Sequence, residues 1–218
     1  MRYKAVLFDL DGTLLDTLDD LAMAANRVLA SKNLPVHPVE AYRYFVGDGI
    51  RILVERILPA ALRQPEMIDT AVTAFQEEYA KNWHDQSAPY PGIDRMLDRL
   101  TAEGLRLSIL SNKPDAFTRL CVQRLLPRWT FDPLLGQRQG MPKKPDPAAA
   151  LEIAGRLGLT PVEILYVGDT AVDMHTACAA GMDAVGVLWG FRTAEELQEA
   201  GAHCLIASPE ELLPLLFS

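Results

Sequence analysis

The chain has 218 residues, enough for one large domain or for a core with a smaller second unit. Hydrophobic residues make up 49% and charged residues 23%, an ordinary balance for a globule with a sizeable core. A net charge of −8 argues against a nucleic-acid surface or an anionic membrane as partner, so an anionic substrate would need local positive charge from a metal ion or a few placed lysines and arginines.

Ala5 to Phe8 is a short apolar run of the kind buried on both faces of a sheet. It ends in two carboxylates, Asp9 and Asp11, and Gly12 then turns the chain away. Two residues apart on an extended backbone, the carboxylates point to the same side. Like charges that close need a cation, a proton or a reaction to hold them. Asp-Gly is also an ordinary turn pair, so these two acids alone leave both readings open. A calcium-binding EF-hand loop does not fit. With Asp9 as first ligand, its glycine position falls on Leu14 and its bidentate glutamate on Asp20.

Leu18, Leu21, Ala22, Ala25, Val28 and Leu29 then recur at helical spacing. Pro35 and Pro38 bracket a loop, and a further helix passes through Tyr42 and Phe45. Val46-Gly47-Asp48-Gly49 breaks that pattern, Ile50 to Leu58 resumes it, and a long helix runs from about Glu66 to Trp83. No strand-like alternation occurs between Thr17 and Ala88. Pro89-Tyr90-Pro91-Gly92 closes the block with a turn-rich joint.

From Ile93 onward strands and helices alternate. The expected helices span 93–102, 115–126, 146–157, 171–180, 194–200 and 209–216. The expected strands span 105–110, 131–135, 164–167, 184–187 and 204–207. Such alternation implies right-handed crossovers and a doubly wound, Rossmann-like parallel sheet, with an all-helical insertion. The expected division is an α/β core of residues 1–16 and 89–218 and a helical cap of residues 17–88.

In sheets of this kind ligands sit outside the carboxyl ends of the strands. Polar residues collect there: Asp9 and Asp11 after the first strand, Ser111-Asn112-Lys113 after the strand ending at Leu110, and Gly168-Asp169-Thr170 after the strand ending at Val167. Asp173 follows one helical turn later, and Lys143-Lys144-Pro145 precedes another helix. Taken singly, Ser111 and Asp169 are ordinary helix starts and Lys144 an ordinary loop lysine.

Taken together, in this order, the segments resemble the four motifs of the haloacid dehalogenase superfamily, with Asp9-Leu10-Asp11-Gly12-Thr13-Leu14 as the first. That resemblance covers nearly the whole chain and implies a phosphohydrolase. It casts Asp9 as the nucleophile that forms an aspartyl-phosphate and Asp11 as the general acid and base. Lys144 is the electrostatic stabiliser, while Thr13, Ser111 and Asn112 hold the transferring phosphoryl group. Mg²⁺ is the implied cofactor, on the carboxylates of Asp9 and Asp169 and the main-chain carbonyl of Asp11, with Asp173 orienting Lys144 or a metal-bound water.

Val46-Gly47-Asp48-Gly49-Ile50-Arg51 resembles the cap loop of phosphoglycolate phosphatases and their close relatives. This implies substrate contacts from Gly47, Gly49 and Arg51, the arginine pairing with a carboxylate or second phosphate. A helix break with a solvent-facing arginine reads the same. Trp189-Gly190-Phe191-Arg192 resembles the same subfamily. The expected substrate is a small phosphorylated metabolite such as 2-phosphoglycolate. Pyrophosphatase, sugar-phosphate phosphatase and β-phosphoglucomutase activities remain alternatives, as does a phospho-accepting receiver domain outside the enzymes.

Four scattered histidines, His37, His84, His175 and His203, lack zinc-ligand spacing. The three cysteines, Cys121, Cys178 and Cys204, lie in apolar periodic segments and are expected to be reduced core residues. With no signal peptide and no apolar run of spanning length, the expectation is a cytoplasmic monomer or homodimer.

Overall fold

β1 (Ala5–Phe8) is the middle of a six-stranded parallel sheet, and all four of its residues are buried. The computed structural model describes residues 2–217. The other strands are β4 (Arg106–Pro114), β5 (Phe131–Gln137), β6 (Ile164–Gly168), β7 (Asp183–Val187) and β8 (Cys204–Ile206), in the order β5-β4-β1-β6-β7-β8. Phe8 stands level with Ile109 of β4 and with Val167 of β6. β2 (Leu15–Asp16) and β3 (Ala88–Pro89) form a separate two-stranded ribbon, too short to leave a pattern in the sequence.

Both faces of the sheet are covered, which explains the unbroken apolar character of its strands. Ala5 and Leu7 join Tyr166 and Ala184 in a buried cluster with α7 (Ala148–Leu157), α8 (Ala171–Ala180) and α9 (Ala194–Glu199). Val6 and Phe8 point to the other face. Right-handed crossovers put α5 (Ile93–Ala102) and α6 (Asp115–Leu125) there. A final helix, α10 (Leu212–Phe217), packs on α5.

The chain divides into two compact units: residues up to Leu15 together with those from Pro89 onward, and Asp16–Ala88. The second unit is helical, built from α1 (Leu18–Ser31), α2 (Tyr42–Phe45), α3 (Ile50–Ile57) and α4 (Pro65–Asn82). The apolar stripe of α1 faces Ile68, Ala71, Phe75 and Tyr79 of α4. Asp20, though charged, is buried in the first turn of α1. Its carboxylate accepts from Gln86 N (3.0 Å), Ser87 N (2.8 Å) and Ser87 Oγ (2.6 Å), tying the end of the unit to its beginning.

Three details differ from the sequence reading. β4 continues to Pro114 instead of stopping at Leu110, with an irregular register against β5 between Leu110 and Pro114. Such irregularities re-aim side chains. α7 begins at Ala148, because Asp146 turns its carboxylate back onto Ala148 N (2.9 Å). Only Cys121 is buried, whereas Cys204 is half-buried and Cys178 exposed. On α8 the inward face is taken by Asp173, Met174, Thr176, Ala177 and Ala180, which leaves Cys178 on the outer side. Among the described residues, no helix is long and apolar enough to cross a membrane.

Candidate active site

β1 delivers Asp9 beside the end of β6, while β4 runs on to Pro114, and Asp9 N donates to Val167 O (2.9 Å). The order of strands reverses at β1, which opens the crevice in which doubly wound sheets bind ligands. Lys144 lies at its centre. Its Nζ donates to Asp9 Oδ1 (2.8 Å) and to Asp173 Oδ1 (2.6 Å), and all three residues are buried.

Each member of this cluster is held from behind. Asn112 clamps the backbone of Lys144, donating from Nδ2 to its carbonyl (3.1 Å) and accepting its N–H on Oδ1 (3.0 Å). Asp173 Oδ2 accepts from Thr170 N (3.1 Å) and Oγ1 (2.7 Å), a reciprocal cap that starts α8. The hydroxyl of Tyr166 reaches Asp173 Oδ1 at 3.4 Å. Asp169 accepts from Thr13 Oγ1 (3.0 Å) on one oxygen and from Phe191 N (2.9 Å) on the other. Trp189 Nε1 donates to Thr13 O (3.0 Å), so the segment after β7 closes over this corner.

Glycine is required where these parts meet. Gly12 has φ +91°, and a Cβ there would collide with the carboxylate of Asp169. A Cβ on Gly190 would meet Asp169 and the carbonyl of Gly12.

Asp9, Asp169 and Asp173 can each present a carboxylate oxygen within 4.8 Å of the others. One ammonium does not offset so much buried negative charge. Burial pushes the Asp9 carboxyl from 3.8 up to about 7; the Lys144 ammonium pulls the other way, and the charges of Asp173 and Asp11 add to the rise. Asp169 is likewise held well above the usual range, first by burial and then by the charges of Asp173 and Asp9. Burial also works against the charge of Lys144, but Asp173 and Asp9 outweigh it and hold the ammonium well above its ordinary value. An all-oxygen donor set with excess negative charge fits a hard divalent cation. Asp173 has both oxygens engaged by Lys144 and Thr170, whereas Asp169 is oriented by two donors and keeps lone pairs for a cation.

Residues 6–187 match the family model of haloacid dehalogenase-like hydrolases. The chain belongs to that family. This hydrolase is 33% identical to a phosphoglycolate phosphatase of Pseudomonas putida, over 97% of this chain and 79% of the relative. It is also 33% identical to a phosphoglycolate phosphatase of Yersinia pseudotuberculosis, over 99% of this chain and 95% of the relative. A crystal structure from Haemophilus somnus, described as a predicted phosphoglycolate phosphatase, is 27% identical with a TM-score of 0.91, covering 99% of this chain and 98% of that one. The family match decides against a receiver domain and for an enzyme.

The sheet unit of the hydrolase carries Asp9, Asp11, Thr13, Ser111, Asn112, Lys144, Asp169 and Asp173. Asn112 stands as a support for Lys144, and Ser111 Oγ accepts from Lys113 N (3.2 Å). Gly47, Gly49 and Arg51 belong to the helical unit. There Gly49 precedes α3 with φ +88°, and Arg51 pairs with Asp69 of α4. The neighbouring Arg56 pairs with Asp48 (2.7 Å).

Other contributors stand outside the expected set. Tyr166 reads as one more apolar residue of a buried strand, and the backbone N–H of Phe191 leaves no trace in sequence. Lys113 could have been found, as the third polar residue past Leu110. Its Nζ lies 2.8 Å from Asp11 Oδ1, with the lysine side chain 5% exposed and the carboxylate 16%.

Proposed function

We propose that this protein is a Mg²⁺-dependent phosphatase of small phosphate monoesters, with 2-phosphoglycolate as the preferred substrate. The observation that carries the reading is the buried Lys144–Asp9 ion pair at the end of β1, with Asp11 two residues further on. A phosphoryl group resists attack because its oxygens repel an anionic nucleophile, so the site must supply positive charge and hold the nucleophile in line. Lys144 holds Asp9 by Oδ1 and offsets its charge, while Asp9 Oδ2 attacks phosphorus and forms an aspartyl-phosphate. Asp11 gives its proton to the departing alkoxide, then takes one from the water that hydrolyses the acyl phosphate. Asp173 keeps Lys144 aimed at Asp9, and Asn112 keeps its backbone in place.

Asp9, Asp169 and the main-chain carbonyl of Asp11 are the groups that would hold Mg²⁺. Bound there, it supplies charge neutralisation for the phosphoryl oxygens. Thr13 and Phe191 N orient the Asp169 carboxylate for that role. The names of the relatives support 2-phosphoglycolate as the substrate.

A phosphate-release screen over small phosphate esters, with Mg²⁺ and with excess chelator, tests the reading. The expected result is steady turnover that is best on 2-phosphoglycolate, lost in chelator, and poorly restored by Ca²⁺, which prefers more ligands and longer bonds. Full activity in chelator removes the metal from the mechanism. Net isomerisation of a sugar phosphate in place of phosphate release overturns the phosphatase assignment.

A further inference from the structure

Lys113 has no part in the chemistry described above, yet it is a buried ammonium placed against the carboxylate that serves the leaving group. Phosphoryl transfer already has its protein cation in Lys144, which is committed to Asp9 and Asp173. The second lysine stands on the leaving-group side, because Asp11 must touch the departing oxygen to protonate it. With Nζ 2.8 Å from Asp11 Oδ1 and a hydrogen bond of about 2.7 Å from that carboxyl to the leaving oxygen, the ammonium lies within about 5.5 Å of that oxygen when Oδ1 makes the contact and within about 8 Å when Oδ2 does. A carboxylate joined to the leaving oxygen through one methylene has its own oxygens about 3 Å away, inside that span. An ammonium has three donors and can bridge two anions. Arg51, the cation expected to meet such a carboxylate, is instead engaged with Asp69 in the helical unit.

We propose that Lys113 is a specificity-determining residue that selects phosphate esters whose leaving group carries an anion next to the ester oxygen. The inference rests on the phosphatase reading and names the group that recognises the substrate's carboxylate. In the bound complex Lys113 bridges the Asp11 carboxyl and the substrate carboxylate, so it both steadies the proton donor and favours an anionic leaving group. A neutral leaving group of the same size uses only the first of these effects.

The test compares kcat/KM on 2-phosphoglycolate and on 2-hydroxyethyl phosphate, which has the same length without the charge. The parent, Lys113→Met and Lys113→Arg are assayed in Mg²⁺, with Lys113→Gln as a second neutral variant should the methionine protein fail to fold. The preference for 2-phosphoglycolate is expected to fall about ten- to a hundredfold in the neutral variant, as loss of a charge-assisted contact implies. Most of that loss should lie in KM, and Lys113→Arg should restore much of it. Equal losses on both esters overturn the proposal, because Lys113 then only steadies Asp11. A parent that hydrolyses both esters without preference overturns it as well, together with the preference for 2-phosphoglycolate, while leaving the phosphatase activity itself intact. A parent that releases phosphate from neither ester overturns the phosphatase reading and the proposal together.

Discussion

Asp9→Asn should abolish turnover and yet make the metal-free protein more stable. Asp9 is buried, and its carboxyl is raised from 3.8 up to about 7. A group whose pKa is higher folded than unfolded holds a proton in the fold that it loses on unfolding, so stability falls as the pH rises through that window. A rise of this size is worth about 4 kcal/mol, fully exacted above about pH 7 and reduced to about 1–2 kcal/mol at about pH 5. Asparagine removes that cost. It also weakens the contact to Lys144, which has Asp173 at 2.6 Å as its other partner. Replacing a charged acceptor by a neutral one at that contact loses about 1–2 kcal/mol. The net gain is about 2–3 kcal/mol near pH 8, or about 4–12 °C in melting temperature for a chain of this size. Thermal melts of parent and variant in chelator, at about pH 8 and about pH 5, measure it. Phosphate release measures the lost turnover, expected at several orders of magnitude because the attacking charge is gone. The reasoning fails if the variant melts at or below the parent near pH 8, if its advantage does not shrink toward pH 5, or if turnover stays within about tenfold of the parent.

The helical unit offers a separate test. Asp20→Ala removes the acceptor shared by Gln86 N, Ser87 N and Ser87 Oγ, and should destabilise that unit by about 2–4 kcal/mol in a denaturant titration, with faster amide exchange at Ser87. A loss below about 0.5 kcal/mol would mean that water replaces the carboxylate at no cost. Gly168→Ala places a methyl against the side chain of Asp173, which cannot retreat because Lys144 and Thr170 hold it. It should cost about 1–3 kcal/mol of stability, and kcat should drop as Lys144 loses its support, read from melting and phosphate release on one preparation.

The order of elements was legible from sequence because two strong local signals coincide. Strands buried on both faces read as short apolar runs, and glycines such as Gly104, Gly158 and Gly181 punctuate the helix ends. The positions of Asp9, Ser111 and Asp169 followed from the rule that a doubly wound sheet gathers its ligands at the carboxyl ends of its strands, whereas Lys144, in a loop before a helix, was singled out only by the resemblance of the segments to the family's motifs. What each residue faces was decided by tertiary structure. Asn112 reads as a ligand to substrate but clamps a lysine 32 positions away. Lys113 reads only as the third polar residue past a strand end but is buried against Asp11, 102 positions away. Cys178 reads as core but lies on the outer side of α8. Periodicity reports which face of an element is apolar and reports nothing of its partner, because side-chain pairing depends on register between strands distant in sequence. The backbone N–H of Phe191, which orients Asp169 across 22 residues, has no side-chain signature at all, so only the folded chain could reveal it.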